Sequence, residues 1–159
     1  MEVRNLVEQL KNSIGKQLEA VVLFGSRARG DASPESDWDI LIVVHNLPKS
    51  PIARQKWLIK LLGPHLNSPV EFHLLTPDEW YNRISPLTLE IALDGKVLYD
   101  AEGKTKEFLN RLRNRLNELG LVRKRESHKE YIWVWQKDKP VNWFEKLMEV
   151  MPRESVGGV

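Results

Sequence analysis

The run Trp38 to Val44 (WDILIVV) is apolar enough for a strand covered on both faces, yet Asp39 sits inside its start and Asp37 just before it. A carboxylate entering a buried strand is costly unless it is paired or holds a cation. Residues two apart on a strand project from the same face, so both carboxylates stand close together there. The chain is thereby required to bring one end of a buried strand to an opening where negative charge has a use. Immediately upstream, Ala20 to Phe24 (AVVLF) is a second short, β-branched apolar run, ended by Gly25. The polar stretch from Gly25 to Ser36 joins the two strands.

The flanking periodicities predict an α/β arrangement. Val3, Leu6, Val7, Leu10 and Ile14 recur at helical spacing before Gly15, and Ile52 to Leu62 repeats the pattern through Trp57, Leu58, Leu61 and Leu62. Val70 to Leu75 (VEFHLL) reads as a third strand. Thr76, Pro77 and Glu79 then supply an N-cap, a first-turn proline and a capping-box acid for a short helix reaching Ile84. Pro86 to Leu93 reads as a further helix and Val97 to Tyr99 as a fourth strand. Phe108, Leu109, Leu112, Leu116 and Leu119 mark a longer amphipathic helix that Gly120 ends. Beyond it, Tyr131 to Trp135 (YIWVW) reads as a strand, Phe144 to Met151 as a last helix, and the terminal ESVGGV as a disordered tail. We therefore expect one domain over residues 1–120 and a C-terminal extension over 121–159 packed on it.

Composition narrows the chemistry. With no cysteine, disulfides, thiolate metal sites and cysteine nucleophiles are excluded, so any metal sits on oxygen or imidazole. The N-terminal stretch carries acids and lacks a long apolar centre, which predicts neither a leader peptide nor a membrane span, and hence a cytoplasmic protein. The net charge of +2 is too balanced to argue for nucleic acid, which stays possible but not favoured. Residues 102–159 hold 13 basic and 9 acidic side chains, and Arg111, Arg113, Arg115, Arg123, Lys124 and Arg125 read as a solvated helix surface.

The segment from Gly25 to Ile40 concentrates the candidate chemistry. A glycine at a strand end permits close approach of a ligand, and the amides after it, with the Ser26 hydroxyl, suit phosphate oxygens. Arg27 and Arg29 add positive charge beside that loop. Asp37 and Asp39 repel each other, and a divalent cation such as Mg²⁺, which prefers oxygen ligands, relieves the repulsion. Glu71 is a carboxylate inside an apolar strand and becomes a third candidate ligand; three acids suffice for two ions. His73 shares the face of Glu71 and stands near the site, where it reads first as a hydrogen-bonded, partly buried histidine. His45, His65 and His128 show no ligand spacing.

Gly25 and Ser26, the following Arg27 to Gly30, and Ser36 to Ile40 together resemble the signature of the DNA polymerase beta-like nucleotidyltransferase superfamily, most closely its minimal nucleotidyltransferase branch. The resemblance spans about residues 5–100 and includes Glu71 and the turn Thr76 to Glu79. It implies a mixed β-sheet flanked by helices, ATP or another NTP as donor, two Mg²⁺ ions, and transfer of a nucleoside monophosphate to a hydroxyl. Residue by residue it implies Gly25 and Ser26 as phosphate holders, Arg27 and Arg29 as further nucleotide-binding contacts to the triphosphate, Asp37 and Asp39 as metal ligands and Glu71 as the third acid. In that branch it also implies a small helical HEPN-type partner, a toxin restrained and adenylylated by its antitoxin. Two other readings stay open at this point, a small-molecule (aminoglycoside-type) transferase and a nucleotide- or partner-binding module with little catalysis.

Overall fold

The computed structural model describes residues 3–63, 69–127 and 130–151. His65, His128 and the expected tail lie outside them. In chain order the elements are α1 (Val3–Ile14), β1 (Leu18–Phe24), α2 (Ser26–Arg29), β2 (Trp38–Val44), α3 (Pro51–Leu62), β3 (Val70–Leu75), α4 (Pro77–Tyr81), α5 (Pro86–Asp94), β4 (Lys96–Asp100), α6 (Lys104–Leu119), β5 (Leu121–Arg125), β6 (Tyr131–Trp135) and α7 (Trp143–Met148). Four strands form a sheet in the order β3-β2-β1-β4, in which β2 and β3 run parallel and the other neighbours antiparallel. The expected mixed α/β fold is thus present.

The period of two in β1 and β2 divides the core. Val21, Leu23, Ile40 and Ile42 meet Leu6 and Leu10 of α1 and Leu58 and Leu62 of α3 on one face. Ala20, Val22, Leu41 and Val43 meet Trp80, Ile91, Phe108 and Leu112 on the other. The second face also has a polar centre that the apolar run of β1 conceals. Glu19 is buried; the Tyr81 hydroxyl donates to its Oε1 at 3.1 Å, and His45 Nε2 lies 3.1 Å from Oε2. The Tyr81 and Thr105 hydroxyls are 2.9 Å apart, and Trp80 Nε1 donates to Thr105. Burial, with Glu19 beside it, raises the Tyr81 pKa, so this hydroxyl stays protonated as a donor.

Local rules account for the helix starts. Thr76 and Glu79 form the expected capping box, as do Ser85 and Thr88 at α5, while α4 ends at Tyr81 rather than Ile84. The edge strand β3 is sealed along part of its length: Gln55 donates to the Phe72 carbonyl and Arg54 to the Leu74 carbonyl, each at 3.2 Å. Arg54 also pairs with Glu79 at 2.8 Å.

The C-terminal segment departs from expectation in one respect. Leu121 to Arg125 is not helix surface but a strand, β5, paired antiparallel with β6. Alternation on β5 turns Arg123 inward, where its side chain is only 8% exposed and Nη2 lies 2.5 Å from Asp94 Oδ1. Glu90 is a second partner of the same guanidinium. Charge that reads as solvent-facing in the sequence is consumed inside the molecule, because the acids that take it lie about thirty residues upstream. Leu121, Leu147 and Val150 join the apolar cluster of β1, α5 and α6.

Candidate active site

The site forms where β1 ends, β2 begins and β3 passes alongside. Phe24 pairs with Asp39 across the antiparallel ladder, and Asp39 pairs with Glu71 across the parallel one. Side-chain alternation then places Asp39, Glu71 and His73 on one face, where their ligand atoms all lie within 4.8 Å of one another. Asp37 is exposed just ahead of β2. The Asp39 pKa is raised, first by burial, then by the negative charge of Glu71, against which His73 acts, and further by Asp37. No hydrogen bond joins the carboxylate of Asp39, Glu71 or Asp37 to any described residue, whereas those of Asp31, Glu79, Asp94 and Asp100 are all bonded. Clustered carboxylates left without protein donors are suited to a divalent cation, so the donor set fits the metal that the resemblance implies.

Gly25 is fixed by two demands. Its φ of 71° with ψ of −159° is accessible essentially to glycine alone. A Cβ at this position would also stand well inside van der Waals contact with the Asp39 carboxylate. The loop then turns into α2, a single helical turn that the polar composition of the loop conceals. The Gly25 carbonyl accepts from Ala28 and Arg29 at 3.1 and 3.0 Å, and the Ser26 carbonyl accepts from Gly30 at 2.9 Å. Ser26 therefore opens a helical turn beside Asp39, with its first amides pointing out of the turn.

The two arginines of the loop are engaged within the protein. Arg27 donates to the Ser36 carbonyl at 3.0 Å and stacks over the Trp38 ring, 4.9 Å from its centroid, which draws the end of the loop back toward its beginning. The turn before β2 is closed by Ser36, whose hydroxyl accepts from the Ser33 amide at 2.9 Å. Arg29 binds Asp94 at 2.8 Å and Asp31 at 3.2 Å. Burial lowers the Arg29 pKa, but the paired acids outweigh it, and the guanidinium stays charged. Tyr131 of β6 donates to Asp31 at 3.0 Å and lies beneath Arg29, Arg123 and Arg125. Sequence reading missed this link between the extension and the loop, since Asp31 and Tyr131 are a hundred residues apart.

Residues 3–99 match the family model described as "Nucleotidyltransferase domain". The chain belongs to that family. It is a nucleotidyltransferase by fold and by enzyme class. Among curated proteins it is similar to a "Putative protein adenylyltransferase" of Methanocaldococcus jannaschii, 31% identical over 118 residues that span 67% of this chain and 76% of the relative. A second protein of that organism with the same descriptive name is 42% identical over 52 residues, covering 30% of this chain and 52% of the relative. A solved structure described as a toxin-antitoxin with AMP-PNP superposes with a TM-score of 0.52 at 24% identity, covering 74% of this chain and 90% of that one. No helix among the described residues is long and apolar enough to cross a membrane.

Proposed function

We propose that this nucleotidyltransferase transfers AMP from ATP to a hydroxyl group on a partner protein, a small helical HEPN-type toxin for which the chain serves as antitoxin. The observation that carries the chemistry is the state of Asp39: partly buried, pressed by Glu71 and Asp37, bonded to no described donor, and in contact range of Gly25. Asp37, Asp39 and Glu71 would hold Mg²⁺, two ions in the full reading. When bound, such ions polarise the α-phosphate and stabilise the departing pyrophosphate. Gly25 leaves room for a phosphate oxygen against the backbone, and Ser26 offers its amide and hydroxyl to the triphosphate. Arg27 holds the loop closed around that position, and Arg27 and Arg29 put positive charge beside the triphosphate. The acceptor hydroxyl attacks the α-phosphorus, the bond to the bridging oxygen breaks, pyrophosphate leaves, and the acceptor proton passes to solvent or a nearby carboxylate.

A protein acceptor is supported by the likeness to the M. jannaschii adenylyltransferase over two thirds of the chain and by the family resemblance of the Gly25 to Ile40 segment. The test is label transfer. Purified protein with Mg²⁺ and α-labelled ATP is added to an extract of the source cells, beside the Asp39→Asn variant. One labelled protein band, seen with the wild type alone, is expected; label on nucleic acid or on a small molecule instead of protein overturns the acceptor assignment.

A further inference from the structure

His73 departs from its sequence reading. A structural histidine in this fold looks like His45, whose Nε2 lies 3.1 Å from the buried Glu19 carboxylate. The His73 imidazole makes no hydrogen bond to any described residue. Its Nε2 lies 3.6 Å from Glu71 Oε1, beyond hydrogen-bonding distance, and the ring packs against Phe24 with centroids 5.3 Å apart. Two ligands of one ion, each about 2.1 Å from it, are themselves roughly 3 to 3.5 Å apart. The spacing of Nε2 and Oε1 is close to that, and Asp39 supplies the third atom within 4.8 Å.

We infer that His73 is a nitrogen ligand of the cation held by Asp39 and Glu71, and that it biases this half of the site toward late first-row divalent ions of the Co²⁺, Ni²⁺ and Zn²⁺ class. The inference rests on the metal-holding role proposed above for the two carboxylates. Strand geometry makes the donor set mixed: β3 offers Glu71 and His73 from one face, and β2 offers Asp39 directly opposite. Imidazole gains little with Mg²⁺, a hard ion that prefers oxygen and water, but binds late first-row ions well. Two carboxylates and a neutral imidazole also balance a divalent charge. Phe24 packs against the ring and restricts it, so less orientational freedom is lost on binding. Exposed Asp37, by contrast, offers oxygen only and suits the ion that travels with the nucleotide phosphates.

The experiment uses the full chain without nucleotide. Zn²⁺ and, separately, Mg²⁺ are titrated by calorimetry into wild type, His73→Gln and Asp39→Asn, and long-range ¹H–¹⁵N spectra follow the imidazole nitrogens as Zn²⁺ is added. His73→Gln is expected to lose about tenfold or more in Zn²⁺ affinity, with Mg²⁺ affinity unchanged. One nitrogen signal should move in the wild type and be missing in that variant. Equal Zn²⁺ affinity in wild type and His73→Gln overturns the inference, as does an equal loss for both ions, which would make His73 a packing residue only. Should Asp39→Asn bind both ions as the wild type does, the metal role of the carboxylates themselves fails, an outcome distinct from failure of His73 alone.

Discussion

Two groups of charge stand on either side of the loop that joins β1 to β2, and they are built on opposite principles. On the α2 side, Arg29, Arg123 and Arg125 meet Asp31, Glu90 and Asp94, and Tyr131 lies under all three guanidinium groups. Every charge there has a partner, and Asp31 illustrates the result: burial alone would raise its pKa, yet the Tyr131 hydroxyl and the Arg29 and Arg125 charges bring it below the ordinary range. On the strand side, Asp39 faces Glu71 with Asp37 exposed nearby; His73 and, more weakly, Arg29 act against their charge, and the Asp39 pKa is still raised. The first group holds the extension to the loop. The second is left in electrostatic debt, which is stable only because the surrounding strands fix it and which a cation would relieve. Neighbouring clusters of similar composition thus divide the labour of stability and chemistry.

The largest effect is expected on the unpaired side. Asp39→Asn should reduce nucleotidyl transfer by more than about a hundredfold, since even groups that merely support a metal ligand cost 10- to 100-fold. The same variant should be as stable as the wild type or more so without metal. The sign follows from the raised pKa: the native state binds this proton more readily than the unfolded chain, so ionised Asp39 costs stability at neutral pH, and the cost fades as pH falls through the folded pKa. Thermal unfolding at pH 7.5 and at pH 4, with rates beside it, checks both parts. A metal-free variant less stable than wild type at neutral pH would break the contrast.

On the paired side the order reverses. Arg123→Ala leaves Asp94 and Glu90 without their shared guanidinium and should cost about 3 kcal/mol, the lower end for breaking a buried pair because Arg29 still reaches Asp94. Urea unfolding measures it. Gly25→Ala lies at the boundary of the two groups and should lose about 2 kcal/mol from backbone strain, together with most activity as Asp39 is displaced. The smallest effect is Tyr131→Phe, which removes the hydrogen bond donated to Asp31 and the exposed one accepted from Arg125 while keeping the ring beneath the arginines, for about 1 kcal/mol. If Tyr131→Phe instead abolished activity without destabilising the fold, the paired group would belong to the chemistry as well.

How far the sequence discloses this arrangement depends on the range of the interactions. Strands β2, β3 and β6 are legible to the residue, because apolar runs and their polar boundaries are local signals. The capping box at Thr76 is equally local. Asp39 and Glu71 are noticeable because each is a carboxylate within an apolar run, against the burial rule for such a strand, and Asp37 because it stands at the head of one; the structure brings Asp39 and Glu71 face to face. Glu19 violates the same rule, but its partners His45 and Tyr81 lie 26 and 62 residues away, and nothing nearby marks it. Arg123 is concealed for the same reason: its sequence neighbours Lys124 and Arg125 suggest a solvated stretch, while Asp94 and Glu90 arrive through the fold. Spacing shows which charges are out of place, whereas only tertiary structure shows which have been answered.

The sealing of β3 by Arg54 and Gln55 bears on how any acceptor can approach. A strand whose carbonyls are already bonded gives an incoming peptide little ladder to extend, so sheet augmentation along Glu71 and His73 is disfavoured, as is edge-to-edge association of two copies there. The protein acceptor proposed above would then present its hydroxyl end-on, as a projecting side chain on a body already shaped. Selection would be made by the contour of that body rather than by the sequence of an extended segment threaded along the sheet.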